Sequence, residues 1–147
     1  MPDYILAKLD ICGASVHSYF NLPREEQTER IKRVMANPNV DMIFHPTGRL
    51  IKKREPYDLD IGEIIKFAKK TKTILEINAY PDRLDLKDEH VKMCVNAGVK
   101  MAINSDAHRV AHFECLEYGI AQARRGWAEK KDIVNAWPLD KMLKMLK

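Results

Sequence analysis

Short apolar runs alternate with longer amphipathic stretches along this chain, and the alternation is its clearest pattern. The apolar runs lack a polar face, which is typical of strands that are covered on both sides. Polar or turn-forming residues end each run, as in the stretch VDMIFHPTGRL. We expect strands at residues 11–16, 42–44, 74–77 and 101–103.

The stretches between these runs carry apolar residues at helical spacing. Asp60, with Glu63 three residues later, is typical of a helix start, and Gly98 is a typical stop signal. We expect helices at about residues 23–35 and 60–70, and a third from about residue 87 to Gly98. Further helices are expected at about residues 111–124 and 139–146, with a short helical turn near Asp132.

Strands that alternate with helices predict a parallel sheet joined by right-handed crossovers, so the fold class is α/β. A barrel and an open sheet both fit the pattern. No internal repeat or linker divides the chain, and we expect a single domain over residues 1–147.

Polar side chains follow each predicted strand where it ends. Because the carboxyl ends of parallel strands meet at one edge of the sheet, these side chains should converge. The converging set contains three of the five histidines and one carboxylate: His17, His45, Asp106 and His108. Nitrogen and oxygen donors without thiolates suit Zn, Mn or Fe, so we expect a divalent metal site there.

Two arginines also follow strand ends, and a guanidinium presents a planar set of donors that suits phosphate. Arg49 and Arg83 are therefore candidate phosphate-binding residues, although pairing with a local carboxylate such as Asp82 explains them equally well. His90 and His112 lie within predicted helices, and we assign them to surface or helix packing.

Composition narrows the possible partners and locations. The net charge is +4, which suits a partner that carries phosphate. Only 7% of the residues are aromatic, so a nucleic-acid-binding module without chemistry ranks last among the functions considered. No apolar run is long enough to span a membrane and no signal peptide is present, so we expect a cytoplasmic location with three reduced cysteines.

Five ordered motifs resemble the C-terminal half of the PHP (polymerase and histidinol phosphatase) domain, and most of all the PHP domain attached to family X DNA polymerases. The similarity runs from about residue 9 to residue 147. The motifs are ASVHSYF, FHPTGRL, EINAYPDRLDL, INSDAH and ARRGW.

This resemblance implies a distorted (β/α)7 barrel that holds up to three metals and hydrolyses a phosphate ester or a DNA 3′ end. By motif, His17 and His45 would bind one metal, Asp106 a second and His108 a third. Asp106 and His108 would be the catalytic pair, with a metal-activated water as the nucleophile.

The chain departs from the family pattern at its start. Only 16 residues precede His17, and none of them is the histidine or bridging glutamate of the family's first motifs. We expect a partial PHP barrel of about four strand–helix units, with two unpaired strand edges and an exposed apolar inner face. Such a unit should pair with a second copy or with a separate N-terminal half.

Two functions remain from this reasoning. The first is a metal-dependent phosphoesterase of PHP type. The alternative is a catalytically incomplete PHP fragment, which folds and binds a metal but needs a partner chain or has lost activity.

Overall fold

A four-stranded parallel sheet forms the centre of the protein, as seen in a computed structural model that describes residues 1–147. The α/β class and the parallel sheet predicted from the sequence are therefore confirmed. The strands lie side by side in chain order and are β1 Gly13–Ala14, β2 Met42–Ile43, β3 Ile74–Asn78 and β4 Met101–Asn104.

Six α-helices and three short 3-10 turns complete the chain. The α-helices are α1 Asp3–Leu6, α2 Arg24–Met35, α3 Ile61–Thr71, α4 Asp88–Ala97, α5 Leu116–Arg125 and α6 Leu139–Leu143. The 3-10 turns are Val110–Cys115, Lys130–Asp132 and Val134–Ala136. No helix is both long and apolar enough to cross a bilayer.

Most predicted helices are present, with corrections at the ends. The Asp60 side chain accepts a hydrogen bond from the Glu63 N–H at 3.0 Å, which confirms the predicted N-cap of α3. Gly98 ends α4 in the left-handed conformation, as expected. The predicted helix at 111–124 begins as a 3-10 turn and becomes α-helical only at Leu116, while α1 was not predicted.

Helices α2 to α5 pack side by side in chain order on one face of the sheet. The core between sheet and helices contains Ile43, Leu75, Ile77, Met101 and Ile103 from the strands. Strands in chain order with one layer of helices are consistent with part of an α/β barrel, because a doubly wound sheet reverses its strand order. No pairing of β4 with β1 closes the sheet.

The opposite, inner face of the sheet is covered by the end of the chain. Met42, Ile74 and Ala102 on this face are buried against Val134, and Trp137, Met142, Met145 and Leu146 pack on the same cluster. The Lys147 N–H donates to Asp41, and its Nζ donates to the Met35 carbonyl. The expectation of an exposed apolar inner face is therefore wrong at this end of the sheet, because residues 134–147 fold over it.

The two edges of the sheet differ. At β4, the Asn135 side chain accepts from the Ile103 N–H at 3.1 Å and donates to the Ile103 carbonyl at 2.6 Å, as a neighbouring strand would. At β1, no strand pairs with the outer edge, and an apolar groove of about 650 Å³ runs between this edge and α2. One edge is open, rather than the two that were expected.

Candidate functional site

A cleft of about 570 Å³ lies at the carboxyl ends of the four strands. His17, His45, Asp106 and His108 all line it, so the structure brings together the four residues that the sequence pattern singled out. His17 follows β1 and His45 follows β2, whereas Asp106 and His108 share the segment after β4. The parallel sheet therefore accounts for the convergence. Ser15, Glu76 and Asn104 complete the polar part of the wall.

His45 is the most buried histidine of the cleft, with 6% of its surface exposed. Its Nδ1 is buried and has no hydrogen-bond partner, and the ring centroid lies 5.3 Å from that of His17. Burial lowers the pKa of His45 to about 4, and the positive charges of Arg83 and His17 act in the same direction. The imidazole is therefore neutral at neutral pH, which is the form that binds metals.

Two cleft residues have left-handed backbone conformations although neither is glycine. The φ angle is 31° at His45 and 52° at Asp106. Such conformations are uncommon for residues with a side chain, and they cluster at functional sites where surrounding contacts hold them in place. The loops after β2 and β4 are therefore held so that they present these two side chains to the cleft.

Asp85 holds the loop that carries His45. Its carboxylate is fully buried and accepts hydrogen bonds from the N–H groups of Thr47 at 3.0 Å and Gly48 at 2.9 Å. Gly48 has a φ angle of 63° and lies against the Tyr57 ring, so a side chain there would be both strained and blocked. Burial raises the pKa of Asp85 to about 6.

Glu76 is a buried carboxylate at the floor of the cleft that sequence reasoning did not assign to the site. It accepts hydrogen bonds from the His45 N–H at 2.6 Å, from Asn78 at 3.2 Å and from Asn104 at 2.9 Å. Burial raises its pKa to about 7, while these three donors favour the ionised form. The signal in the sequence was a polar pair at alternate positions, Glu76 and Asn78, inside an otherwise apolar strand.

Asp106 and His108 lie on the segment after β4. The Asp106 carboxylate pairs with the Arg83 Nε at 3.1 Å, and the His108 Nδ1 lies 2.7 Å from the Asp106 carbonyl. His17, on the opposite wall, is exposed, and its Nε2 lies 2.6 Å from the Ser15 hydroxyl. These contacts orient the side chains at the cleft without filling it.

The two arginines predicted to bind phosphate have different positions. Arg83 lies beside the cleft through its contact with Asp106. Arg49 lines no part of the cleft; its guanidinium donates to the carbonyls of Arg83 and Leu84 and so holds the loop after β3. Phosphate binding by either residue stays a prediction, and Arg83 has the better position for it.

The types of donor in the cleft suit a divalent metal, since it offers imidazoles, carboxylates and an unpartnered buried His45 nitrogen. The number of donors close to one another, however, is too small for a metal site. No group of three or more histidine, cysteine, aspartate or glutamate side chains is close enough to hold one ion. One chain therefore presents donors to a metal but does not surround it.

Comparison with known proteins agrees with a partial unit. No protein-family model matches the chain. It is 43% identical over 145 residues to the DNA polymerase/3′-5′ exonuclease PolX of Bacillus subtilis, a match that covers 99% of this chain and 25% of PolX. It is 31% identical over 115 residues to a probable phosphatase of Acetivibrio thermocellus and 33% over 117 residues to one of Thermoanaerobacter sp..

The matches to both phosphatases cover 74% of this chain and 45% of each phosphatase. The chain thus spans about a quarter of the polymerase and less than half of the phosphatases that it resembles.

Proposed function

We propose that this chain is the C-terminal part of a metal-dependent phosphoesterase of PHP type, in which it forms four strand–helix units of a (β/α)7 barrel. The observation that carries the proposal is the convergence of His17, His45, Asp106 and His108 on one cleft. Similarity to PolX and to probable phosphatases supports phosphate ester or DNA 3′-end hydrolysis as the reaction.

In this proposal His17, His45, Asp106 and His108 hold Zn, Mn or Fe. Such ions supply water of lowered pKa and stabilise charge on the phosphate oxygens. Asp106 and His108 act as the catalytic pair at the phosphate group, and Arg83 contacts the phosphate while orienting Asp106. Glu76 positions His45 by accepting its N–H, and Asp85 holds the following turn.

The missing donors come, in this proposal, from a separate N-terminal half or, as the second option, from another copy of the chain. The open edge of β1 supports this because Gly13 and Ser15 line both the apolar groove and the cleft. A strand added at this edge would lie about 4.8 Å from β1, and every second side chain would face the cleft beside His17.

The alternative function is a catalytically incomplete PHP fragment. It is favoured by the absence of any group of three close metal-binding side chains. Such a fragment would fold and hold a metal weakly, yet it would hydrolyse no ester unless a partner chain were added.

The test combines elemental analysis, molecular mass in solution and hydrolysis of a generic phosphate ester with and without Mn²⁺. We expect bound metal that the double substitution His17→Ala with His45→Ala removes. His90→Ala is the matched control, since His90 lines neither the cleft nor a pocket beside it. Unchanged metal content in the double variant, or full hydrolysis in the presence of chelator, would contradict the proposal.

A further inference from the structure

One side of α5, together with the 3-10 turn that precedes it, exposes a row of large apolar side chains. The row, here called the α5 face, consists of Val110, Phe113, Leu116 and Ile120, which recur every three or four residues. Val110 is 84% exposed and Phe113 is 61% exposed. Single exposed apolar residues are common on proteins, whereas a contiguous group usually marks a contact with another molecule. The α5 face is therefore a candidate interface.

The internal contacts of α5 show where this face points. Gly119 packs against β4, since a side chain there would lie 2.5 Å from an isoleucine of that strand. Arg125 pairs with Asp88 of α4 at 2.7 Å, which defines the flank of α5 that faces α4. At 3.6 residues per turn, Leu116 and Ile120 lie on the other flank. Because α5 is the last helix of the layer, no neighbouring helix covers that flank.

Two charged residues of opposite sign border the α5 face. Glu117 and Arg124 are both exposed, and neither side chain forms a salt bridge or hydrogen bond within the protein. They are about two helical turns apart, so both project beside Ile120 on the same side of the helix. An apolar row bordered by unpaired charges has the composition of a specific contact surface, which combines an apolar centre with a polar rim.

This arrangement is complementary to itself when two α5 helices pack antiparallel. A two-fold axis beside Ile120 brings the two copies of that side chain into contact, and it places each Glu117 opposite the Arg124 of the other copy. A two-fold axis beside Glu117 would instead bring two carboxylates together, and like charges across an interface are costly. The charges therefore select a single register, in which both ion pairs form.

We propose that the α5 face is a contact between two copies of this chain, which pair through antiparallel α5 helices about an axis beside Ile120. The face lies at the β4 side of the sheet, so the open edge at β1 stays free. A two-fold axis across the helices also turns the two clefts in opposite directions, so neither copy supplies donors to the cleft of the other. The pairing is therefore independent of the proposed phosphoesterase function and of any partner at β1.

The first test is sedimentation velocity of the purified chain over a range of concentrations. Four apolar side chains and two ion pairs form a small interface, so we expect a reversible dimer with a dissociation constant of about 10 µM to 1 mM. Ile120→Asp should remove the dimer, because it places two carboxylates at the axis. Tyr118→Asp is the matched control, since Tyr118 is 47% exposed, against 50% for Ile120, but lies about 200° around the helix from Ile120.

The second test reverses the charges one at a time. Glu117→Arg and Arg124→Glu should each raise the dissociation constant at least about 10-fold, since each change turns two ion pairs into two like-charged pairs. When these two variants are mixed, both contacts between unlike copies become attractive again. We therefore expect a heterodimer from two variants that are each monomeric alone. Circular dichroism should show wild-type helix content in each variant, because the replaced side chains are exposed.

Several outcomes would overturn the inference: a wild type that stays monomeric at about 1 mM, a dimer that survives both charge reversals, or variants that do not pair on mixing. Loss of the dimer in Tyr118→Asp would likewise place the contact outside the α5 face. None of the replaced residues lines the cleft, so metal content and ester hydrolysis should be the same in all variants. Failure of the pairing would leave the phosphoesterase function intact, and absence of hydrolysis would leave the pairing intact.

Discussion

Replacing Asp85 with asparagine tests how the protein tolerates the buried carboxylate that holds the His45 loop of the cleft. Asp85 is 0% exposed and accepts hydrogen bonds from the N–H groups of Thr47 and Gly48. Asparagine keeps the shape and one acceptor oxygen but cannot ionise. The comparison therefore isolates the effect of the charge from that of the packing.

The expected magnitude follows from the pKa. Burial raises the pKa of Asp85 from 3.8 to about 6, so between these values the native state binds more protons than the unfolded state. The contribution of Asp85 to the free energy of unfolding is largest below pH 3.8 and declines as the pH rises to about 6. The full decline is about 3 kcal/mol, of which about 1 kcal/mol falls between about pH 5 and about pH 7.

Urea unfolding followed by circular dichroism at a series of pH values measures this difference. Glu76 and His45 titrate in the same range, but they are present in both proteins and cancel when the variant is subtracted. We expect the free energy of unfolding of the wild type, relative to Asp85→Asn, to fall by about 1 kcal/mol from about pH 5 to about pH 7. A difference that stays level, or that rises with pH, would show that the two N–H donors outweigh burial.

Three further substitutions or treatments test the packing. Asn135→Ala should lower the free energy of unfolding by about 1–3 kcal/mol, since Ile103 loses its edge partners, and an unchanged urea midpoint would refute that edge role. Gly119→Ala should cost about 1–3 kcal/mol because its Cβ would lie 2.5 Å from the Ile103 side chain, whereas Gly62→Ala, the control, should leave the melting temperature unchanged or raised. Cys94 is fully buried and its thiol pKa is raised to about 12, so iodoacetamide should label it only upon unfolding; rapid labelling of the folded protein would contradict its position.

The parts of the fold that depend on local pattern were predictable. Apolar runs and helical spacing predicted the four strands and the three helices that connect them, because each signal is contained within a short window. Strand polarity then predicted the cleft, since parallel strands bring His17, His45 and His108 to one edge. That inference needed only the order of the strands and their parallel direction.

The parts that depend on register and long-range contacts were not predictable. The inward direction of Glu76 depends on strand register, and a shift by one residue would have turned it to the helical face. The amide of Asn135 reaches Ile103 across 32 residues, and no local pattern indicates such a pairing. The docking of residues 134–147 on the inner face likewise depends on contacts far apart in the chain.

The first strand shows the same limit on a smaller scale. Residues 11–16 form an apolar run, yet only Gly13–Ala14 pair as a strand, with Met42 and Ile43 of β2. Past Ala14 the chain leaves the ladder, which allows His17 to lie at the mouth of the cleft. The length of a β-ladder depends on both paired strands, whereas an apolar run in the sequence describes only one strand.

The unequal borders of the sheet limit how the protein can assemble. The Asn135 amide already hydrogen-bonds the outer edge of β4, so a strand of a second molecule can pair only with β1. Two molecules that met through their first strands would each then end in a capped border, so growth would stop at the pair. The protein can therefore keep one border free for a partner without the risk of extending into an open-ended β-fibre.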